Sequence, residues 1–277
     1  MEYIELVCIP TQGVHTSDLL TALLADIGFE SFSENEDGTL SAFIQAPALL
    51  PDLADRLKAN PFSKYLLSFT VKKIADQNWN ALWESQYEAV VIDGRCSVRA
   101  PFHPKPAGME YDIIIMPKMS FGTAHHETTK LMIQYLLEME ILGKTLLDMG
   151  SGTAVLAILA RMHGALSVTA IDNDEWAFNN ALENVQLNHV PEIKVLLGDS
   201  TLLTGRKFDV IMANINRNIL LNDIPEYLKC LNPAGRLYMS GFYYEDLPLI
   251  EARAKEYGLR LVSRRLENNW TAACFLL

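Results

Sequence analysis

The stretch LLDMGSGTAVLAILA at 146–160 decides the fold class, because a strand, a glycine turn and a helix follow one another directly. The predicted strand ends at Asp148, and the predicted helix begins near Thr153. Gly150 and Gly152 allow the backbone to turn sharply and to approach a ligand closely, and the start of the helix offers free N–H groups. Such a turn at the carboxyl edge of a parallel sheet is the expected ligand crevice of a wound α/β domain.

The alternation of strands and helices continues from Thr145 to the C-terminus. The seven predicted strands lie at 145–149, 167–172, 193–199, 208–215, 235–242, 259–267 and 270–277. Helical patterns separate the first five strands, which predicts a mostly parallel sheet with helices on both faces. Only Asn268 and Asn269 join the last two strands, and so short a connection requires an antiparallel hairpin.

The first part of the chain, residues 1–74, has the element order β-α-β-β-α-β, which predicts a small ferredoxin-like α+β domain. Its central hairpin is predicted to turn at Asp37 and Gly38. A helical linker is predicted at 75–90, where Trp79, Trp83 and Tyr87 share one face of the helix. Residues 91–277 then form the larger α/β domain, which begins with two short strands at 96–102 and 111–117.

Composition and charge exclude several classes of protein. Hydrophobic residues make up 49% of the 277 residues and charged residues 21%, the balance of a globular protein with a large core. No apolar run approaches the roughly 20 residues of a membrane-spanning helix, no basic leader precedes an apolar segment, and the four cysteines are far apart. We therefore expect a cytoplasmic protein without disulfide bonds that does not bind membranes.

The net charge of −11 is concentrated at the start of the chain. Residues 1–72 contain ten acidic and four basic side chains, and no lysine or arginine precedes Arg56. A nucleic-acid-binding surface needs the opposite sign of charge, so direct binding of nucleic acid is not expected. An acidic domain attracts a basic partner instead, although a solvated acidic face that aids solubility would have the same composition.

Three further polar residues are predicted at the edge of the sheet that carries the glycine turn. Asp172 ends the second strand and can accept hydrogen bonds from the hydroxyls of a ribose. Asp199 ends the third strand, where its side chain could border an adenine, and Asn214 ends the fourth, where its amide could orient an incoming amine. A capping or turn role is the alternative for each of the three.

Two kinds of enzyme fit these residues, one that uses a nicotinamide dinucleotide and one that uses S-adenosylmethionine. A dinucleotide usually spans two mononucleotide-binding halves, whereas this chain has a single α/β unit. The antiparallel final hairpin also favours S-adenosylmethionine. So does the glycine turn, which has Ala154 where a third glycine would stand, since this cofactor has no pyrophosphate group to bind.

The stretch FGTAHHETT at 121–129 contains adjacent histidines, but no metal site is predicted there. It lacks two histidines at i and i+4 on a helix, and no cysteine lies nearby in sequence. We interpret it instead as a lid over the cofactor, with Glu127 or Thr128 starting the next helix.

Together, FGTAHHETT, LLDMGSGTAVLAILA, AIDND and DVIMANI resemble the bacterial ribosomal protein L11 methyltransferase (PrmA) family, as do Trp79, Trp83 and Trp270. The resemblance implies a Rossmann-like class I methyltransferase domain whose seven-stranded sheet ends in an antiparallel hairpin. It also implies S-adenosyl-L-methionine as cofactor. The implied cofactor site consists of Phe121, Thr123, Thr129, Asp148, Gly150, Gly152, Asp172, Asp199 and Asn214.

The resemblance further implies a function, the methylation of lysine side-chain and N-terminal amines of ribosomal protein L11. Residues 1–74 would recognise this basic protein, Asn214 would orient the amine, and Phe121 or Trp270 would form aromatic walls around it. We expect a monomer. Methylation of another protein or a small amine, a nicotinamide-dependent oxidoreductase and an inactive cofactor-binding protein remain as alternatives.

The lid departs from the family's usual sequence, FGTGTHPTT, at three positions. Ala124, His125 and Glu127 stand where the family has Gly, Thr and Pro. Because this loop borders the expected cofactor, the departures bear on the affinity for the cofactor and on the mobility of the loop.

Overall fold

The computed structural model describes residues 3–11, 16–35, 37–49, 51–59, 61–74, 88–118 and 120–277. The chain divides into two compact units, residues 1–87 and 88–277. Among the described residues, no helix is both long and apolar enough to cross a membrane.

Within the described residues, the first unit has four strands and two α-helices in the predicted order. They are β1 (Tyr3–Pro10), α1 (Thr16–Asp26), β2 (Ser31–Glu34), β3 (Leu40–Gln45), α2 (Leu53–Ala59) and β4 (Leu66–Ile74). The sheet is antiparallel with the order β2-β3-β1-β4, as the ferredoxin-like prediction requires. Apolar side chains of both helices, including Leu20, Leu24 and Leu57, pack with those of β1 and β3 to form its core.

The predicted linker is largely outside the described residues, and so are Trp79, Trp83 and Tyr87. Its last residue, Val90, does not belong to a helix but starts a strand. Val90 is in a strand because it pairs with Val98 in a small sheet, which the sequence analysis did not predict.

This small sheet opens the second unit and has three strands. They are β5 (Val90–Ile92), β6 (Cys96–Arg99) and β7 (Tyr111–Ile114). Arg99 and Asp112 are both about nine-tenths buried and form a two-armed ion pair across β6 and β7, with Arg99 Nε 2.9 Å from Asp112 Oδ1. The buried arginine holds the pKa of Asp112 below its usual value although desolvation alone would raise it.

The main sheet has the predicted seven strands. In chain order the elements are α3 (Glu127–Glu138), β8 (Thr145–Met149), α4 (Val155–Met162), β9 (Ser167–Asp172), α5 (Glu175–Leu187), β10 (Lys194–Leu197), β11 (Phe208–Asn214), α6 (Arg217–Cys230), β12 (Leu231–Tyr243), α7 (Leu247–Glu256), β13 (Arg260–Glu267) and β14 (Trp270–Leu276). The strand order is β10-β9-β8-β11-β12-β14-β13. Strand β14 runs antiparallel to the other six, which are parallel to one another. Asn268 and Asn269 make the final turn with φ of 47° and 70°.

The two faces of this sheet bury separate apolar clusters, because side chains alternate along each strand. On β8, Leu146 packs with α3 and α4, whereas Leu147 packs with α6 and α7. Helix α6 continues through Pro225, which has no N–H to donate to the carbonyl of Leu221. Arg253 of α7 donates its Nε–H to that carbonyl instead, at 3.2 Å.

A row of asparagines on α5 holds the segment that follows β7. Asn188 exchanges two hydrogen bonds with the backbone of Ile114, at 2.8 and 2.6 Å. Asn184 accepts from the Met116 N–H at 2.8 Å and donates to the Thr153 carbonyl at 3.0 Å, and Asn180 donates to the Met116 carbonyl at 3.2 Å. Because asparagines four residues apart lie on one helix face, their amides replace the neighbouring strand that this backbone lacks.

We expect Asn184→Ala to lower the free energy of unfolding by roughly 2–4 kcal/mol, because it leaves two buried backbone groups without partners. Urea denaturation measures the loss. Asn179→Ala, at an exposed position of the same helix, is the matched control and should change stability by less than about 0.5 kcal/mol. Equal effects of the two substitutions would contradict the role of the asparagine row.

Candidate active site

The predicted glycine turn connects β8 to α4 and has three residues in the left-handed region. Gly150, Gly152 and Ala154 have φ of 69°, 53° and 63°. A Cβ added to Gly152 would lie 2.2 Å from the Phe121 carbonyl oxygen, so this position admits no side chain. The same carbonyl accepts the Thr153 N–H at 2.9 Å, which ties the turn to the lid.

The carboxylate of Asp172 reaches back to this turn from the end of β9. Its Oδ2 accepts the Gly152 N–H at 2.8 Å, and its Oδ1 accepts the Asp174 N–H at 3.0 Å. A carboxylate has about four acceptor sites, so two backbone bonds orient Asp172 without exhausting it. Asp174 caps α5 by accepting from Trp176 N–H, as the sequence analysis allowed for this neighbour.

Asn214 at the end of β11 has one half of its amide engaged and the other half free. Its Nδ2 donates to Thr129 Oγ1 on α3 at 3.4 Å. Its Oδ1 is buried and has no hydrogen-bond partner among the described residues. A buried acceptor without a partner is costly, so this oxygen is suited to a ligand that donates an N–H.

The lid 121–129 brings aromatic side chains to the same place. His126 caps α3 by accepting from the Thr128 N–H, so the helix begins at Glu127. The His126 ring is 4.7 Å from the ring of Trp270 and 5.2 Å from that of Phe121, measured between centroids. No group of metal-binding side chains occurs among the residues that the structure describes.

These elements enclose a cavity of about 560 Å³ at the carboxyl edge of the sheet. Five of the predicted site residues line it, namely Phe121, Gly150, Gly152, Asp172 and Asn214. A cavity of this size suits a small-molecule cofactor.

The other four predicted site residues do not line the cavity. Thr129 is buried behind Asn214, and Asp148 is buried beneath the turn. Thr123 Oγ1 lies 3.0 Å from His125 Nδ1. Asp199 is exposed and caps the short helix Ser200–Leu203, and its bonds to Thr201 lower the pKa of its carboxyl.

The sequence analysis missed several residues that shape the cavity. Gly241 on β12 lines it, and a Cβ there would lie 2.2 Å from the Ile215 carbonyl oxygen. His126 was predicted only as part of the lid, without a role of its own at the cavity. A glycine inside an apolar strand marks a close backbone approach, and this was the available signal for Gly241. No sequence signal indicates that His126 would pack against Trp270.

A model of the family described as Ribosomal protein L11 methyltransferase (PrmA) matches residues 5–275. The chain belongs to the PrmA family. Relatives named ribosomal protein L11 methyltransferase from Phocaeicola vulgatus and Porphyromonas gingivalis are both 47% identical to this chain. The alignments cover 94% and 93% of it, and 94% and 90% of the relatives.

Solved structures agree with this membership. A ribosomal protein L11 methylase from Lactobacillus delbrueckii subsp. bulgaricus is similar with a TM-score of 0.63 and 29% identity, over 68% of this chain and 98% of that one. A methyltransferase from Pyrococcus furiosus, with a TM-score of 0.50 and 20% identity over 59% of this chain and 88% of that one, shares the fold.

Family membership confirms the predicted enzyme class, an S-adenosylmethionine-dependent protein methyltransferase, together with its cofactor and its fold. The nicotinamide-dependent oxidoreductase that the glycine turn left open is not favoured.

Two of the departures of the lid from the usual PrmA sequence have opposite effects on the backbone. Ala124 is buried with a φ of 64°, a conformation that suits the family's glycine better and costs alanine about 1 kcal/mol. Glu127 is the first residue of α3. Its charge is favourable at a helix N-terminus, and it accepts from Asn268 Nδ2 at 2.9 Å.

Asp148 stabilises the start of α4 from below. Ala154 at the N-cap has no side-chain acceptor, and Asp148 Oδ2 accepts the Ala157 N–H at 3.1 Å in its place. Burial raises the pKa of Asp148 to about 8, the hydrogen bond from Ala157 opposes this, and the nearby Asp172 adds to it. At neutral pH the Asp148 carboxyl is therefore largely protonated.

This raised pKa predicts that stability falls as pH increases. The folded state holds the Asp148 proton more tightly than the unfolded chain does. The contribution of this proton to the free energy of unfolding is therefore complete below pH ~4. The free energy of unfolding declines between about pH 4 and pH 8, by up to ~1.4 kcal/mol per pH unit. In Asp148→Asn the carboxyl is absent, so chemical denaturation across this range should show a smaller decline than the wild type. Parallel curves for the two proteins would show that Asp148 does not titrate in this way.

Proposed function

We propose that this chain transfers methyl groups from S-adenosylmethionine to lysine side-chain and N-terminal amines of ribosomal protein L11. The observation that carries the proposal is the buried Oδ1 of Asn214, a residue that lines the cavity, because this oxygen has no hydrogen-bond partner among the described residues. The names of the relatives support the identity of the protein substrate. When bound, S-adenosylmethionine supplies an electrophilic methyl group.

The volume of the cavity, about 560 Å³, and its lining of glycines, carboxylates and aromatic rings suit this cofactor. In this proposal the backbone at Gly150 and Gly152 approaches the cofactor closely. The remaining acceptor sites of Asp172 bind the ribose hydroxyls. Phe121 lines the cavity, and Thr129 acts through its hydrogen bond to Asn214. Asp148 supports the turn through α4.

Thr123 and Asp199 are assigned to the cofactor on family resemblance alone. Neither side chain lines the cavity, and each is hydrogen-bonded to a close neighbour in sequence.

The residues around the cavity mouth can prepare an amine for transfer. A lysine amine is mostly charged in water, with a pKa near 10.4, and an apolar site favours its neutral form. Phe121, His126 and Trp270 provide aromatic surface there. Asn214 Oδ1 then accepts one N–H of the neutral amine, which directs its lone pair. Such positioning supplies roughly 7–11 kcal/mol of barrier reduction.

We assign substrate recognition to residues 1–74, with a linker at 75–90 and the catalytic domain at 91–277. The acidic excess of residues 1–72 supports this assignment, because it complements a basic protein and repels nucleic acid. We propose that the protein acts in the cytoplasm as a monomer.

Deletion of residues 1–74 tests the recognition role, and it should abolish L11 methylation while S-adenosylhomocysteine still binds.

Asp172→Ala is expected to weaken binding of S-adenosylhomocysteine at least roughly tenfold, since hydrogen bonds to a charged group contribute about 1.5–3 kcal/mol each. Isothermal titration calorimetry measures the affinity. Thermal unfolding without ligand shows whether the fold is retained. Unchanged affinity in a folded variant would remove the ribose role of Asp172.

Asn214→Ala is expected to lower kcat for L11 by roughly 100-fold, the loss expected when a reacting group is misplaced by about 1 Å. Mass spectrometry of L11 incubated with the enzyme and S-adenosylmethionine gives the rate. Asn218→Ala, at an exposed position on the next helix, is the control. A wild type that leaves L11 unmodified would overturn the proposed substrate, and a fully active Asn214→Ala would overturn the proposed mechanism.

A further inference from the structure

A second pocket lies beside the cofactor cavity, on the other side of the start of α5. Its volume is about 410 Å³, and it is lined by Lys118, Glu175, Trp176, Asn179 and Asn180. Asp174 and Ala177 line the cofactor cavity, so residues adjacent in sequence face two different spaces. A polypeptide chain at the cavity mouth would pass close to this pocket.

One residue that lines the pocket, Asn180, has a buried hydrogen-bond acceptor without a partner among the described residues. Asn180 is only 1% exposed, and its Nδ2 donates to the Met116 carbonyl at 3.2 Å. Its Oδ1 has no hydrogen-bond partner within the part of the chain that the structure describes. The other asparagines of the row, Asn184 and Asn188, use their Oδ1 atoms on backbone N–H groups. The free oxygen of Asn180 therefore indicates a ligand that donates a hydrogen bond.

An exposed tryptophan forms the outer wall of the same pocket. Trp176 is 78% exposed, although tryptophan is largely buried on average. Trp176, Asn179 and Asn180 are spaced i, i+3 and i+4, so they share one face of α5. Such an exposed ring beside a pocket is a typical anchor for a partner side chain, and its face attracts cations.

The charges around the pocket favour a cation. Lys118 pairs with Glu183, which neutralises the positive charge in the lining. Glu175 is exposed and has no ion-pair partner among the described residues. A ligand that suits this pocket therefore combines positive charge, N–H donors and a flat surface that stacks on an indole.

We propose that the pocket formed by Trp176, Glu175 and the free Oδ1 of Asn180 binds an arginine side chain of the protein substrate, outside the methylated position. The inference rests on the proposed function, since it assigns a docking site to that substrate. A guanidinium stacks its plane on an aromatic ring while its edge donates to an amide oxygen and a carboxylate. A lysine ammonium cannot make all three contacts through one planar group.

Steady-state methylation of L11 tests the docking role. Trp176→Ala should raise KM for L11 by roughly 3- to 30-fold, the range expected for loss of a cation–π contact, and leave kcat within about twofold of wild type. Trp176→Tyr should restore most of the affinity. The matched control, Leu249→Ala, removes a side chain that is 51% exposed on α7 and should change nothing. Unchanged KM in Trp176→Ala would overturn the proposal.

Two measurements on the full chain separate this proposal from its alternatives. The Trp176 indole N–H signal in NMR spectra should shift with N-acetyl-arginine amide and not with the uncharged N-acetyl-citrulline amide. An equal response to N-acetyl-lysine amide, or none to arginine, would overturn the assignment. Weaker S-adenosylhomocysteine binding in Trp176→Ala would place the pocket in the cofactor site instead. If the wild type does not methylate L11, the proposed function fails, but the arginine titration still tests the pocket.

Discussion

The hydrogen bond from the Gly152 N–H to the Asp172 carboxylate joins the two strand ends on which the active site depends. It requires a backbone turn with left-handed residues at Gly150, Gly152 and Ala154. This turn starts α4 without a side-chain cap of its own, so the buried Asp148 supplies the missing acceptor. Because Asp148 is largely protonated at neutral pH, repulsion between the two neighbouring acids is reduced.

The asparagine row on α5 extends this arrangement to the lid. It replaces a strand partner for the backbone at Ile114 and Met116, and Asn184 also binds the Thr153 carbonyl next to the glycine turn. The lid begins a few residues after Met116. Helix α5 therefore holds both the backbone that leads into the lid and the residue next to the glycine turn. An amide is suited to this role because it offers a donor and an acceptor side by side.

Two buried amide oxygens, on Asn214 and Asn180, have no hydrogen-bond partner in the part of the chain that the structure describes. Elsewhere the fold satisfies such groups, as Asn184 and Asn188 show, and burial of an acceptor without a partner is costly. Both residues line cavities, Asn214 the larger one and Asn180 the neighbouring pocket. We interpret them as places where the folded chain leaves a hydrogen bond for the substrate, one for the reacting amine and one for a docking arginine.

The amino-acid sequence by itself determined the order of the elements, the class of the sheet and the place of the glycine turn at its carboxyl edge. These follow from local periodicity and turn chemistry, as the glycine turn at 150–152 and the hairpin at Asn268 and Asn269 show. Only the tertiary structure decided that β5, β6 and β7 form a sheet of their own, because strand pairing is a long-range interaction. For the same reason it alone decided that Asp148 lies beneath the cavity rather than in its wall, and that a row of helical asparagines binds a distant backbone.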